Sequence, residues 1–184
     1  MIHPSIIETV CATQCDTQWC CSTRYFSPPP LRRREIDAIA AAGIRDFFRY
    51  RNGTPVLREN ADGYCVHFDG NARKCGIHPL RPDDCRMFPF DFFRDPGGRF
   101  RWLLWDCPLS RLFDETDIRM SPARLEREFG DSIRETLDYG LEDYSEPVFG
   151  TRPRTRMLRP LEIIPRVPKA SCRHPFPCSV PPIR

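Results

Sequence analysis

The sequence predicts an α+β domain: a small antiparallel sheet with two or three helices, organised around a cysteine-ligated metal site and followed by an extended C-terminal tail. Three observations predict it. Two segments carry apolar residues at helical spacing, and the stretch between them shortens to strand-like runs separated by turn signals. Eight of the ten cysteines fall between residues 11 and 107. The last 34 of the 184 residues hold eight of the 20 prolines.

The first helix is expected over Glu35–Tyr50. Ile36, Ile39, Ala40, Gly43, Ile44, Phe47 and Phe48 lie at spacings of three and four, which places them on one face. Prolines 28–30 precede the segment and Gly53 follows it, as start and stop signals do. Thr54–Arg58, Tyr64–Phe68, Phe88–Phe93 and Phe100–Trp105 read as short strands. Asp69-Gly70 and Asp95-Pro96-Gly97-Gly98 are the turns between them. The second helix is expected to start at Ser121, with Pro122 at its first position. Leu125, Phe129, Ile133, Leu137 and Leu141 then recur every four residues, and Gly130 divides the helix, with Asp131 capping the second half.

Hydrophobic residues make up 40% of the chain and charged residues 29%, which excludes a chain disordered throughout. No apolar run approaches the roughly 20 residues of a membrane helix. The N-terminus has neither the basic start nor the apolar stretch of a signal peptide, so a cytoplasmic location is expected. In that reducing compartment, cysteines are thiols or metal ligands rather than disulfides.

The net charge of +3 conceals an asymmetry. Residues 151–184 carry eight basic side chains and one acid, a net +7, whereas residues 1–150 hold 20 basic and 24 acidic residues, a net −4. Proline removes backbone donors and fixes φ, so 151–184 is expected to be an unstructured basic tail beside a cysteine-cluster domain spanning 1–150. The tail would dock on an acidic protein partner or fold back on its own domain. Arginines dispersed among prolines with few aromatics disfavour nucleic acid.

The cysteines form three groups. Cys11, Cys15, Cys20 and Cys21 are spaced x3, x4 and zero; Cys65, Cys75 and Cys85 follow, with Cys107 after them; Cys172 and Cys178 lie in the tail. Thiolates are soft donors, and four of them close a structural zinc site or hold an iron–sulfur cluster. Eight would serve two sites, or one site with spare thiols. A single cysteine is ordinarily a small buried hydrophobe, but eight clustered around turns and loop starts require another reason. Pro82 is expected to open a short helix with Asp83 and Asp84 in its first turn. Cys85 would then sit where backbone N–H groups stabilise a thiolate. Arg81 and Arg86 would offset thiolate charge at a cofactor, or else pair with Asp83, Asp84 or Asp106.

The stretch Gly63-Tyr64-Cys65 … Cys75-Gly76-Ile77-His78 … Arg81-Pro82-x-x-Cys85-Arg86-x-Phe88-Pro89, after a cysteine-rich N-terminus ending in Cys20-Cys21, resembles the CxxCxxCC family of zinc- or iron-chelating, YkgJ-like cysteine-cluster proteins. Flagellin lysine-N-methylases carry a similar cluster in a longer chain. The resemblance covers roughly residues 11–107. It implies metal or iron–sulfur binding through Cys11, Cys15, Cys20, Cys21, Cys65, Cys75 and Cys85, and Cys107 joins them by position. The first group departs from the family's x2, x2 spacing, which leaves open which of Cys11, Cys15, Cys20 and Cys21 act together. The x4 step after Cys15 also excludes a radical-SAM triad.

His78 lies in the Cys75–Cys85 loop as a ligand or a supporting donor, and His67 alternates with Cys65, but a structural role is expected for both. His174 stands between Cys172 and Cys178, in a tail too poorly preorganised for a metal site. Phe88, Phe90, Phe92, Phe93, Trp102 and Trp105 would shield a cluster or form an ordinary core. No phosphate-binding glycine loop, dinucleotide fingerprint, HExxH or GxSxG is present, and no catalytic residue is assigned. An iron–sulfur cluster is preferred over zinc because paired CxxC knuckles are missing, with an electron-transfer or accessory role. The alternatives are an enzyme related to protein lysine N-methylation and a zinc-stabilised interaction module.

Overall fold

The computed structural model describes residues 4–15, 18–23, 27–95, 97–138 and 155–163. The α+β class is observed, but among the described residues the strands form three small antiparallel sheets rather than one. Helix α1 (Pro4–Gln14) leads into a 3-10 turn at Trp19–Cys21. Helix α2 (Arg33–Ala41) precedes the hairpin of β1 (Phe48–Arg51) and β2 (Thr54–Leu57). A second hairpin pairs β3 (Phe68–Asp69) with β4 (Lys74–Cys75). Helix α3 (Asp83–Met87), strands β5 (Phe90–Arg94) and β6 (Phe100–Trp105), helix α4 (Glu115–Asp138) and strand β7 (Thr155–Pro160) complete the order.

The first helix is shorter than its apolar spacing predicts. The N–H groups of Ala42 and Gly43 bond back to Ala38 and Ala40, and Gly43 takes φ +83°, a left-handed position that ends a helix at low cost. Phe47 and Phe48 continue the period of four by coincidence, since they enter the core from β1 and the bend before it. The prolines before α2 do more than mark its start. Leu57 N–H bonds Pro29 O at 3.0 Å and Leu31 N–H bonds Pro55 O at 2.8 Å, so this segment covers the edge of β2 that β1 leaves unpaired.

Tyr64–Phe68 is not a continuous strand. Tyr64 and Cys65 form isolated bridges with Ser22 and Glu59, and the chain turns before β3. Turn bonding wins here because Asn60 Oδ1 accepts the N–H groups of Asp62 and Tyr64, both at 3.0 Å. The turns at Asp69-Gly70 and after Asp95 fall where the sequence predicts them.

Phe90 faces Leu104, and Phe92 faces Trp102, across β5 and β6. Those side chains meet Ile118, Phe129, Ile133 and Leu137 of α4 to form the larger core, in which Trp102 and Ile133 are fully buried. Helix α4 begins six residues before Ser121 because Asp114 Oδ1 accepts the Asp117 N–H at 2.7 Å and caps it. Pro122 therefore lies inside the helix. The expected division is seen at Phe129, whose φ of −113° and ψ of 16° leave the helical range.

The unstructured tail expected for 151–184 is corrected at residues 155–163. β7 pairs antiparallel with β6 at the sheet edge, where proline is tolerated. Leu158, Leu161 and Ile163 pack on the larger core, so the folded unit extends past residue 150. A Cβ on Gly130 would stand 3.6 Å from Ile163 Cδ1, which places the end of this segment against the α4 break. Arg159 pairs with Glu126 at 2.7 Å and Arg156 with Glu115 at 2.6 Å. This part of the basic extension thus folds back on the acidic domain.

Candidate metal centre

Each cysteine is delivered by a short element. Cys11 lies in α1 and Cys15 follows just past its end, one helical turn apart and on the same face. Cys20 and Cys21 sit in the 3-10 turn, with their Sγ atoms 4.0 Å apart. Cys65 donates its N–H to Cys21 O at 2.8 Å, which ties the second cysteine group to the first. Cys75 lies on β4 and Cys85 in α3. Cys107 is fixed in the turn after β6, where Ser110 Oγ accepts its N–H at 3.1 Å and donates to its carbonyl at 2.8 Å.

These elements converge. Cys11, Cys15, Cys20, Cys21, Cys65, Cys75 and Cys85 line one cavity of about 90 Å³. Cys107 borders a smaller adjoining cavity, which it shares with Cys11, Cys15 and Cys20. All eight are free thiols. Among the described residues, no group of three or more Cys, His, Asp or Glu side chains stands in the tight arrangement that grips an ion; the thiols border the cavity wall. Cys172, His174 and Cys178 lie outside the described residues.

Without a cation, Cys11, Cys20, Cys65, Cys75, Cys85 and Cys107 favour the protonated thiol. Burial pushes Cys11 up to about 12, with Cys20, Cys15 and Cys107 adding to it, and pushes Cys65 and Cys107 each up to about 11. Cys20 is raised well above the usual thiol value by its hydrogen bond with Cys21 and by burial. Cys75 is raised by burial, against the N–H of Ile77. Cys85 is likewise raised, by burial and then by Asp84, Cys65 and Cys75. The stabilised thiolate expected at Cys85 is therefore corrected: α3 has only five residues, too few to offset burial among like groups. The same crowding suits a metal, because a bound cation attracts the thiolates that otherwise repel one another.

The two flagged arginines part company. Arg81 lines the large cavity, lowers the pKa of Cys11, Cys20, Cys75 and Cys85, and keeps its Nε buried without a hydrogen-bond partner. Arg86 turns away, pairing with Asp83 and Glu128 at 3.1 Å each and lying over the Phe129 ring at 4.8 Å.

His78 also lines the cavity. Its Nδ1 meets Glu8 Oε1 at 2.9 Å, and its Nε2 is buried without a partner. Burial and Arg81 lower its pKa, which favours the neutral, donor-competent imidazole. His67 stays outside the cavity, near the Phe47 ring at 6.2 Å. Glu8 and Gln18 are cavity residues that the sequence did not reveal. Gln18 donates its N–H to Cys15 Sγ at 3.3 Å and keeps its Nε2 buried and unpaired. Neither belongs to a recognisable motif, and only folding brings them to the thiols.

The donor set therefore fits a soft metal: seven thiols around one cavity, with buried N–H donors of Arg81 and Gln18 unpaired at its wall. This pocket, built from helix ends, turns and a two-residue hairpin, defines a cysteine-cluster metal-binding domain. Residues 10–108 match the CxxCxxCC family model, described as "Putative zinc- or iron-chelating domain", and the chain belongs to that family. No curated protein and no solved structure matches the chain. Among the described residues, no helix is long and apolar enough to cross a membrane.

Proposed function

We infer that this chain is an iron–sulfur protein of the CxxCxxCC family, with an electron-transfer or accessory role in a reducing compartment such as the cytoplasm. The observation that carries this reading is the convergence of seven cysteines from five separate elements on one cavity. Cys65, Cys75 and Cys85 supply three ligands, and the Cys20-Cys21 pair supplies the fourth. A cavity of about 90 Å³ has room for several atoms, since one water-sized body needs roughly 10–15 Å³. Arg81, at the wall, supplies positive charge to a cluster that carries net negative charge through its thiolates. The absence of paired CxxC knuckles from the sequence favours the same reading over a zinc knuckle.

The test is anaerobic purification of the full chain, with iron, zinc and acid-labile sulfide assayed beside a visible spectrum. Iron and sulfide in comparable amounts, with a brown chromophore bleached by dithionite, are expected. A colourless protein with stoichiometric zinc and no sulfide would overturn the reading.

A further inference from the structure

We propose that the cleft between α3, the start of β5 and α4 binds a small organic carboxylate with an aromatic body. The body lies on the phenylalanines of the wall, and the carboxylate accepts hydrogen bonds from Arg81 and Ser121. The proposal does not depend on which metal the thiols hold.

Size and lining come first. The cleft encloses about 300 Å³, against about 90 Å³ for the thiol cavity, and so reaches the size of small-molecule sites. Phe88, Phe90, Phe113, Leu125 and Phe129 make much of its wall apolar. Phe90 and Phe113 already meet edge to face at 5.3 Å, so the wall presents rings of the kind that pack on another aromatic ring.

The charges on the wall are unequally matched. Arg86 is held by Asp83 and Glu128, each at 3.1 Å, and Arg124 by Asp117 at 3.9 Å. Arg81 makes no ion pair among the described residues, and its Nε is buried without a hydrogen-bond partner. The uncompensated charge at the cleft is thus a guanidinium, whose planar fork matches a carboxylate. Arg81 also lines the thiol cavity, but its five N–H donors let it serve both sides.

Ser121 supplies the second polar group. It lines the cleft, is only 8% exposed, and its hydroxyl makes no hydrogen bond among the described residues. A hydroxyl so enclosed costs stability until it finds an acceptor, and a carboxylate oxygen is one. A few polar groups converging in an apolar cleft are the pattern of a ligand site. The chain's own C-terminal stretch is a poorer occupant. Residues 164–184 carry four basic side chains and no acid, so they would bring like charge to Arg81.

The experiment is calorimetric titration of the anaerobically purified full chain with phenylpropanoate, phenylpropanol, phenylpropylamine and hexanoate. Phenylpropanoate should bind at one per chain. Phenylpropanol and hexanoate should each bind about tenfold more weakly, and the amine not measurably. Arg81→Leu should bring phenylpropanoate down to the affinity of the alcohol, which itself stays unchanged. Ser121→Leu, which fills the cleft, should abolish binding of both while metal content per chain stays at the wild-type level. No saturable binding by wild type, an alcohol or hexanoate that matches phenylpropanoate, or wild-type affinity in Ser121→Leu would each overturn the proposal.

Should Ser121→Leu misfold, photolabelling of the wild-type chain with benzoylbenzoate decides. Adducts within residues 86–90 or 113–129 that excess phenylpropanoate prevents support the site. Adducts confined to other residues, or none that phenylpropanoate prevents, overturn it.

Discussion

Glu35 accepts the backbone N–H of Asp83 through Oε1 at 2.7 Å, so a buried carboxylate of α2 holds the first turn of the helix that carries Cys85. Its Oε2 accepts the Arg32 N–H at 2.7 Å, and the Arg32 guanidinium reaches Ser132 O and Thr136 Oγ1 of α4. Ser132 Oγ in turn donates to Asp83 Oδ2 at 2.5 Å. Three helices are thereby fixed around one network. Glu35→Ala strands both the Asp83 N–H and the buried Arg32 charge, so a loss of about 3 kcal/mol is expected. Urea unfolding at neutral pH measures it, and Glu35→Gln should lose less.

The cluster ligands have both a compositional and a thermal readout. Cys75→Ser and Cys85→Ser should lose iron and sulfide and lower the unfolding midpoint by at least about 5 °C, because metal binding is coupled to folding. Cys172→Ser should do neither. A Cys85→Ser protein with full iron and sulfide would refute that ligand assignment.

Arg81 and Arg86 should separate by function. Arg81→Leu removes the positive charge facing four of the thiols, and metal affinity measured by chelator competition should fall by about tenfold. Arg86→Leu should leave metal affinity unchanged, because its guanidinium engages Asp83, Glu128 and Phe129.

Asp91 makes stability pH-dependent. Burial pushes its carboxyl up to about 6, although the Phe92 N–H and Trp105 Nε1–H oppose the shift. Asp84, another half-buried carboxyl, lies within electrostatic reach of it. A folded-state pKa above the unfolded value of about 3.9 means that the folded state binds the proton more tightly. Stability is therefore highest below about pH 4 for this group and declines as pH rises through about 6. Asp91→Asn lacks that decline, so its stability relative to wild type should rise between pH 4 and 6 by on the order of 1 kcal/mol, then level off. Denaturant midpoints at both pH values measure this.

Truncation should divide the basic extension in two. Ending the chain after residue 154 removes β7, the packing of Leu158, Leu161 and Ile163, and the Arg159 partner of buried Glu126. A loss of about 2–4 kcal/mol follows from the apolar area re-exposed and the carboxylate left unpaired. Ending the chain after residue 163 should preserve stability.

Much of this was legible in the sequence. Phe100–Trp105 matches β6 residue for residue, and the Gly130 break and the short helix after Pro82 appear where local chemistry puts them. The misread elements are those where a local pattern ran on past a tertiary decision. The apolar period carried the first helix through Gly43 into what is β1, and proline density concealed an edge strand at Thr155–Pro160. Helix α1 went unread, since few of its residues reach the core.

By itself, the sequence determined the donor chemistry: eight thiols in one stretch of chain, and so a soft metal, because ligand softness belongs to the side chain and not to its surroundings. Only the tertiary structure decided which thiols share a cavity. That grouping depends on contacts such as Cys65 N–H to Cys21 O and Cys107 against Val10, which join residues tens of positions apart. Spacing along the chain constrains neighbours within a turn or two. The distances between turns are set by packing.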